Sequence, residues 1–363
     1  MDGGLKAAPG IEEARATVPG SPRVVPVVLL CLALLLLAVG AGLLLGPAPV
    51  SLAGLRATLL DALGLAPLPP AHARDAAILG IIRGPRVALG AVLGAGLAVS
   101  GAVMQGLFRN PLADPGLIGV SAGAALAAVG AIVLGPALFG TRGGALGLWL
   151  LPLAAFVGGL VATLLIARLG TRHGVTAVAT LLLAGIAVNA LCGALTGVLI
   201  FLADDRQVRD ITFWTLGSLA GARPMQVAAS CVLVLLPTLL LLRLARPLNA
   251  LVFGEAEAFH LGVRVETAKR AAVALSAVAV ASGVAFAGLI GFVGLVVPHL
   301  VRLAAGSDHR VVLPASALLG GALMVLADLG ARSIAAPAEL PLGVLTALLG
   351  APFFLWLLRR GGT

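Results

Sequence analysis

Apolar residues in this chain come in unbroken runs of about twenty, the length a helix needs to cross the hydrocarbon layer of a bilayer. Short stretches rich in Gly, Pro, Arg and Asp separate them. After a polar start over residues 1–23, the first run extends from Val24 to Gly46. Nine more follow at 78–107, 116–135, 148–169, 176–200, 224–244, 269–287, 289–304, 311–333 and 341–358. The pattern predicts an all-α integral membrane protein of about ten transmembrane helices over residues 24–358, between an N-terminal tail over 1–23 and a short C-terminal tail over 359–363. The first run exceeds a signal-peptide core and no small-residue cleavage site follows it, so it is read as a span.

Composition narrows the class. Of 363 residues, 60% are hydrophobic and 11% charged, and the mean hydropathy is +1.12. Soluble domains are about a quarter charged, and disordered chains combine low hydrophobicity with high net charge, so both are excluded. Aromatics are 4% and Tyr is absent, which argues against an outer-membrane barrel with its aromatic girdles. The 48 glycines suit helices that approach closely in lipid. Cys31, Cys192 and Cys231 lie in apolar runs without metal or redox spacing and read as small hydrophobes.

The net charge of +9 does not indicate a nucleic-acid partner, because the basic residues are scattered at span ends. In a membrane protein that scatter reports topology. With both termini inside, the 24 Lys and Arg divide fifteen inside to nine outside, which favours cytoplasmic N- and C-termini. Nine outside is still high, and some of those arginines need another reason to be there. Arg86 and the Lys269-Arg270 pair each open a similar Ala/Gly/Leu helix, one running inward and the other outward. This is either an inverted repeat or a coincidence of low-complexity sequence.

No metalloprotease, nucleophile-elbow or phosphate-loop motif occurs in the chain. A transporter built from it and driven by nucleotide hydrolysis would therefore keep its ATPase on another polypeptide. The five histidines, His72, His173, His260, His299 and His309, are far apart and mostly at span ends, so interfacial roles are favoured over ligation. Asp328 is the one acid well inside a span, with Arg332 four residues on and able to pair with it. So sparse a set of intramembrane charges does not suit proton coupling.

Three polar segments stand out. Arg83-Gly84-Pro85-Arg86 opens the second span, with its arginines on one face at the water boundary; they read either as a snorkelling pair or as a dock for a partner's carboxylates. Arg109-Asn-Pro-Leu-Ala-Asp114-Pro-Gly116 reads as a tight inner turn, with Asp114 capping the helix that follows. Residues 249–263, punctuated by Gly254 and Gly262, parse as a short helix, a glycine and another short helix. Their length and mild amphipathicity suggest an element that lies in a partner's groove.

Taken with GAGLAVSGAVMQGLFRNPLADPGLIGVSAGA (94–124), FWTLGSLAGA (213–222), GFVGLVVPHLVR (291–302), SDHRVVLPASALLGG (307–321) and PAELPLGVLTALLGAPFFLWLL (337–358), these segments resemble the FecCD-type permeases. Those are membrane subunits of bacterial type II ATP-binding-cassette importers for iron chelates, heme and cobalamin. The resemblance runs from about residue 80 to the end. It implies ten helices per subunit in the inner membrane, a homodimer with its pathway on the two-fold axis, two cytoplasmic ATPases and a periplasmic binding protein. The chain itself would bind no cofactor; ATP and Mg would sit on the partner.

Residue by residue, the resemblance assigns Arg83, Arg86 and Arg332 to docking of the binding protein. Gly254, Glu255, Glu257, Phe259, Leu261 and Gly262 fall to coupling helices, within 249–267, that sit in a cleft of the ATPase. Leu183, Gly185, Asn189 and Gly193 of the fifth span, with Gly291, Gly294 and Pro298 of the eighth, fall to the pathway wall. The wording of 109–125 and 201–214 is most similar to heme permeases, with cobalamin and ferric siderophores as alternatives. A secondary transporter and an integral membrane enzyme are the competing classes, and neither has the ionisable or catalytic groups it would require.

Overall fold

The computed structural model describes residues 24–139 and 145–360, so the tail over 1–23 and residues 361–363 fall outside the description. Helices account for nearly all of it. In chain order they are α1 (Val24–Leu44), α2 (Leu52–Ala62), α3 (Ala73–Ala77), α4 (Gly84–Phe108), α5 (Val120–Phe139), α6 (Ala145–Gly170), α7 (Val178–Phe201) and α8 (Asp205–Leu216). Then come α9 (Pro224–Ser230), α10 (Leu236–Leu242), α11 (Ala245–Leu251), α12 (Glu255–His260), α13 (Val265–Ala287), α14 (Val293–Ala305), α15 (His309–Ile334) and α16 (Leu342–Arg360). Wide π-type turns at Ile78–Arg83 and Cys231–Leu235 join α3 to α4 and α9 to α10.

Among the described residues eight helical stretches are long and apolar enough to cross a membrane, and two shorter apolar helices, α14 and the Leu342–Phe353 part of α16, bring the traverses to ten. The eighth expected span is helical over only part of its length. Residues 289–292 are not helical, and α14 begins only at Val293. Gly288 meets the Trp214 carbonyl at one end of the bundle, whereas Gly294 lies against Leu97, midway along α4. The chain therefore re-enters the bundle unwound before it coils again.

The core forms around α4, buried on most of its length and packed against α10, α13, α14 and α15. Small residues set the spacing. A Cβ at Gly94 would overlap the carbonyl of Gly320 in α15, and one at Gly101 the carbonyl of Gly294 in α14. With no side chain between them the backbones come into contact, the route by which helices associate in lipid without a hydrophobic driving force.

The two ends of the bundle differ. Arg83, Arg86, Asp328, Arg332 and the end of α1 lie at one; Arg109, α12, Arg302 and the start of α15 lie at the other, as do the start of α1 and the far end of α16. A hairpin, β1 (Thr171–Arg172) with β2 (Val175–Thr176), belongs to the second end. Its turn residues His173 and Gly174 both have positive φ, 51° and 83°, as a twisted two-residue hairpin loop requires.

Candidate functional site

At the Arg83 end, α1 finishes with carbonyls that have no intrahelical partner, and leaving such groups bare at membrane depth is costly. Arg83 supplies the donors: Nη1 to Leu43 O at 2.6 Å and Leu44 O at 2.8 Å, and Nη2 to Ala48 O. Arg332 Nη2 donates to Gly42 O. Arg86 turns elsewhere. Its Nε donates to Asp328 Oδ1 at 2.7 Å, and Nη1 and Nη2 grip both oxygens of Glu339 at 2.9 and 3.0 Å. Arg332 Nε completes the cluster 3.6 Å from Asp328 Oδ2, the i,i+4 pair expected from the sequence.

These arginines do not face water. Arg83, Arg86 and Arg332 are 2%, 7% and 5% exposed, which corrects the expectation of a surface pair at the water boundary. The reason is physical: two of them cap α1 with cations at its negative end, and the third joins α4 to α15. That also accounts for part of the excess of basic residues at this end. Glu339, in the turn after α15, is the one member whose side chain is substantially exposed, at 41%.

At the other end, the 249–263 segment folds as α11, Gly254 and α12. Gly254 (φ +128°) and Gly262 (φ +81°) bracket the short helix with backbone that side chains disfavour. Phe253, Phe259 and Leu261 stand exposed at 73%, 70% and 67%. Glu255 is bound inward, with Oε2 2.8 Å from Lys269 Nζ. Lys269, fully buried at the base of α13, also meets Glu266 at 2.6 Å and donates to the Thr176 carbonyl of the hairpin. Asn249 ties the same segment to α15, accepting from the His309 amide at 2.9 Å and donating to Asp308 at 2.6 Å. The Asp308 carboxyl, opposed by partial burial, is held below the usual range by the Arg310 amide, the Asn249 amide and the Arg310 charge.

Replacing Lys269 by Met is expected to release this fastening, because a buried ammonium that satisfies two carboxylates has no apolar substitute. Backbone amides of 255–263 should then exchange hydrogen faster by about tenfold or more, while those of α4 stay protected. Unchanged exchange in 255–263 would show that α12 is held by its packing alone.

The expected pathway residues do not gather in one subunit. Leu183 is exposed, and a Cβ added at Gly193 or Gly291 would meet nothing. Gly185 lies against the Leu117 carbonyl, Gly294 against that of Leu97, and Pro298 is buried within α14, so these three serve packing. Asn189 donates to the Gly116 carbonyl at 3.1 Å. Asp114 caps the 3-10 turn Pro115–Ile118 and not α5 itself, accepting from Gly116 N at 2.7 Å; burial raises its pKa, partly offset by that amide. An apolar cavity of about 380 Å³ between α6 and α13 has Lys269 at one end, already paired. Among the described residues no group of His, Cys, Asp and Glu is placed to hold a metal ion.

Comparison with known proteins decides the family, since the model of the FecCD transport family matches residues 31–360. The chain belongs to the FecCD transport family. Among FecCD relatives, the hemin transport system permease protein HmuU of Yersinia pestis is 47% identical over 279 residues, 77% of this chain and 82% of that protein. The cobalamin import system permease protein BtuC of Halobacterium salinarum is 46% identical over 78% of this chain and 73% of its own length. The vitamin B12 import system permease protein BtuC of Escherichia coli is 43% identical over 77% and 83%. A solved chain described as an inward-facing metal-chelate type ABC transporter superposes with a TM-score of 0.78 at 32% identity, covering 92% of this chain and 99% of that one. As a FecCD protein, the chain is a multi-pass permease subunit of an importer in the bacterial inner membrane, from a family that works with ATPase and binding-protein partners.

Sequence reasoning missed several residues of these two clusters. Glu339 lies in a quoted family motif but had no partner assigned, and Lys269 was read only as a helix opener. Gln105, Asn249 and Arg302 also lie in the quoted segments, but their pairing was hidden because the partners are 59 to 197 residues away.

Proposed function

We propose that this permease carries heme or a related iron chelate inward as a homodimer, loaded at the Arg83 end by a periplasmic binding protein and driven at the α12 end by two ATPase subunits. That orientation puts both termini in the cytoplasm, in line with the basic residues dividing fifteen to nine. One observation carries the reading: Phe253, Phe259 and Leu261 stand bare on an element fastened to the bases of two spanning helices, through Glu255–Lys269 and Asn249–His309. An apolar knob anchored in this way fits a groove on a separate motor. When ATP closes the motor, the coupling residues Gly254 to Gly262 move with it and the two permeases rock about their shared axis.

The 47% identity to a hemin permease favours heme, and the 46% identity to a cobalamin permease supports cobalamin as the second reading. Leu183 and Gly193 on the open face of α7 would form an apolar wall with few polar partners, so selectivity would rest with the binding protein. At the outer end a carboxylate of that protein would compete with half-exposed Glu339 for the Arg86 fork, beside Arg83 and Arg332.

The test is uptake in proteoliposomes that hold the permease, its ATPase and its binding protein. Hemin should accumulate only with ATP, and Arg83→Glu with Arg86→Glu should weaken binding-protein docking about tenfold or more. Accumulation of cobalamin with hemin refused would move the assignment to the second reading. Uptake that survives ATP depletion and collapses with an uncoupler would favour a secondary transporter instead.

A further inference from the structure

Beside α12 lies a cavity of about 250 Å³ lined by Gln105, Arg109, Asn110, Val252, Arg302 and His309 among others, with no acidic residue in its wall. Its charges are unbalanced. Arg302 reaches Gln105 Oε1 through Nη1, and among the described residues neither Arg302 nor Arg109 has a carboxylate within ion-pair distance. The other contacts of Gln105 run from Nε2 to the carbonyls of Gly294 and Leu295, so its amide is committed to holding Arg302 in place. His309, 3% exposed, donates from Nδ1 to Asn249 Oδ1, and its Nε2 is sealed against Gly106, so its ring closes one wall of the cavity without offering it a polar atom. Asp308, the acid next to it in sequence, is engaged by Asn249 and the Arg310 amide and does not line the cavity.

Two guanidiniums without a counter-charge, around a polar space with no acid in its wall, select an anion. A guanidinium left without a counter-charge in a partly buried site is costly, and its planar fork best matches a carboxylate. The position of the mouth indicates who brings it. Val252 forms part of the lining and continues into exposed Phe253, and the turn from Arg109 to Leu112 is exposed at the rim. Cavity and apolar knob thus form one continuous surface, with a cationic hole next to a greasy projection. We propose that the Arg109–Arg302–His309 cavity receives an aspartate or glutamate side chain of the ATPase subunit that seats on α12. This rests on the coupling reading of α12 given above and adds to it the chemistry of the partner's surface.

The test titrates the purified ATPase subunit onto the full-length permease in nanodiscs of neutral lipid, at low and high salt. Arg302→Gln and Arg109→Gln should each weaken association about tenfold and flatten its salt dependence, and Arg302→Lys should recover part of the loss. Arg109 is at the surface, so its variant reports even if Arg302→Gln folds poorly. Association within twofold of the parent for Arg109→Gln and for folded Arg302→Gln overturns the proposal. So does weakening seen only in nanodiscs containing phosphatidylglycerol, which would assign the cavity to a lipid phosphate. Phe259→Asp separates the two layers: if it weakens association while the arginine variants do not, the cavity assignment alone fails, and if it has no effect, the coupling reading of α12 fails with it.

Discussion

Replacing Asp328 by Ala is expected to cost about 3–5 kcal/mol of folding stability, the toll of removing one partner from a buried ion pair. The loss falls unequally. Arg86 keeps the bidentate grip of Glu339, but Arg332 keeps only the Gly42 carbonyl, because Asp328 is the sole carboxylate within ion-pair distance of it among the described residues. Asp328→Asn should fall between, retaining an acceptor for Arg86 Nε without the charge. Pairing Asp328→Ala with Arg332→Met should recover part of the loss, since an apolar pair carries no desolvation penalty. Thermal unfolding in detergent reads all of these, and an Asp328→Ala protein as stable as the parent would show that water reaches the cluster.

Gly101→Ala is expected to destabilise by about 1–3 kcal/mol or more, although alanine is the better helix former. The new methyl would overlap the Gly294 carbonyl, which is backbone and cannot rotate away, so α14 must move off α4. Gly283→Ala is the control. Its methyl would meet only Leu93 Cδ2, at 3.9 Å, and the substitution should be neutral or slightly stabilising. Similar melting of the two variants would mean that the α4–α14 contact yields more easily than its geometry implies.

What the sequence disclosed follows from range. Runs such as Val24–Leu44 and Val178–Phe201 declare themselves because helix length and membrane thickness are both local quantities, and nine of the ten expected traverses lie within about five residues of a helix or helical stretch. Asp328 and Arg332 were legible as a pair because four residues is one helical turn. Arg86 with Asp328 was not, since 242 residues separate them and no spacing rule joins α4 to α15. The same limit hid the burial of Arg83, whose acceptors are the last carbonyls of α1 some 40 residues earlier. At 289–292 the fault was of another kind: hydropathy reports that a segment is apolar and says nothing of whether its backbone is coiled.

The glycine contacts of α4 bear on how such a machine moves. Where one backbone rests directly on another, a slip of a single residue, about 1.5 Å, brings the next side chain against a carbonyl, so α4, α14 and α15 cannot glide past each other. They form a stator. On the coupling role proposed for α12, a stroke begun there would have to swing this block as a whole or bend the looser helices beside it, and the glycines would thereby set which parts of the permease are free to be the gate.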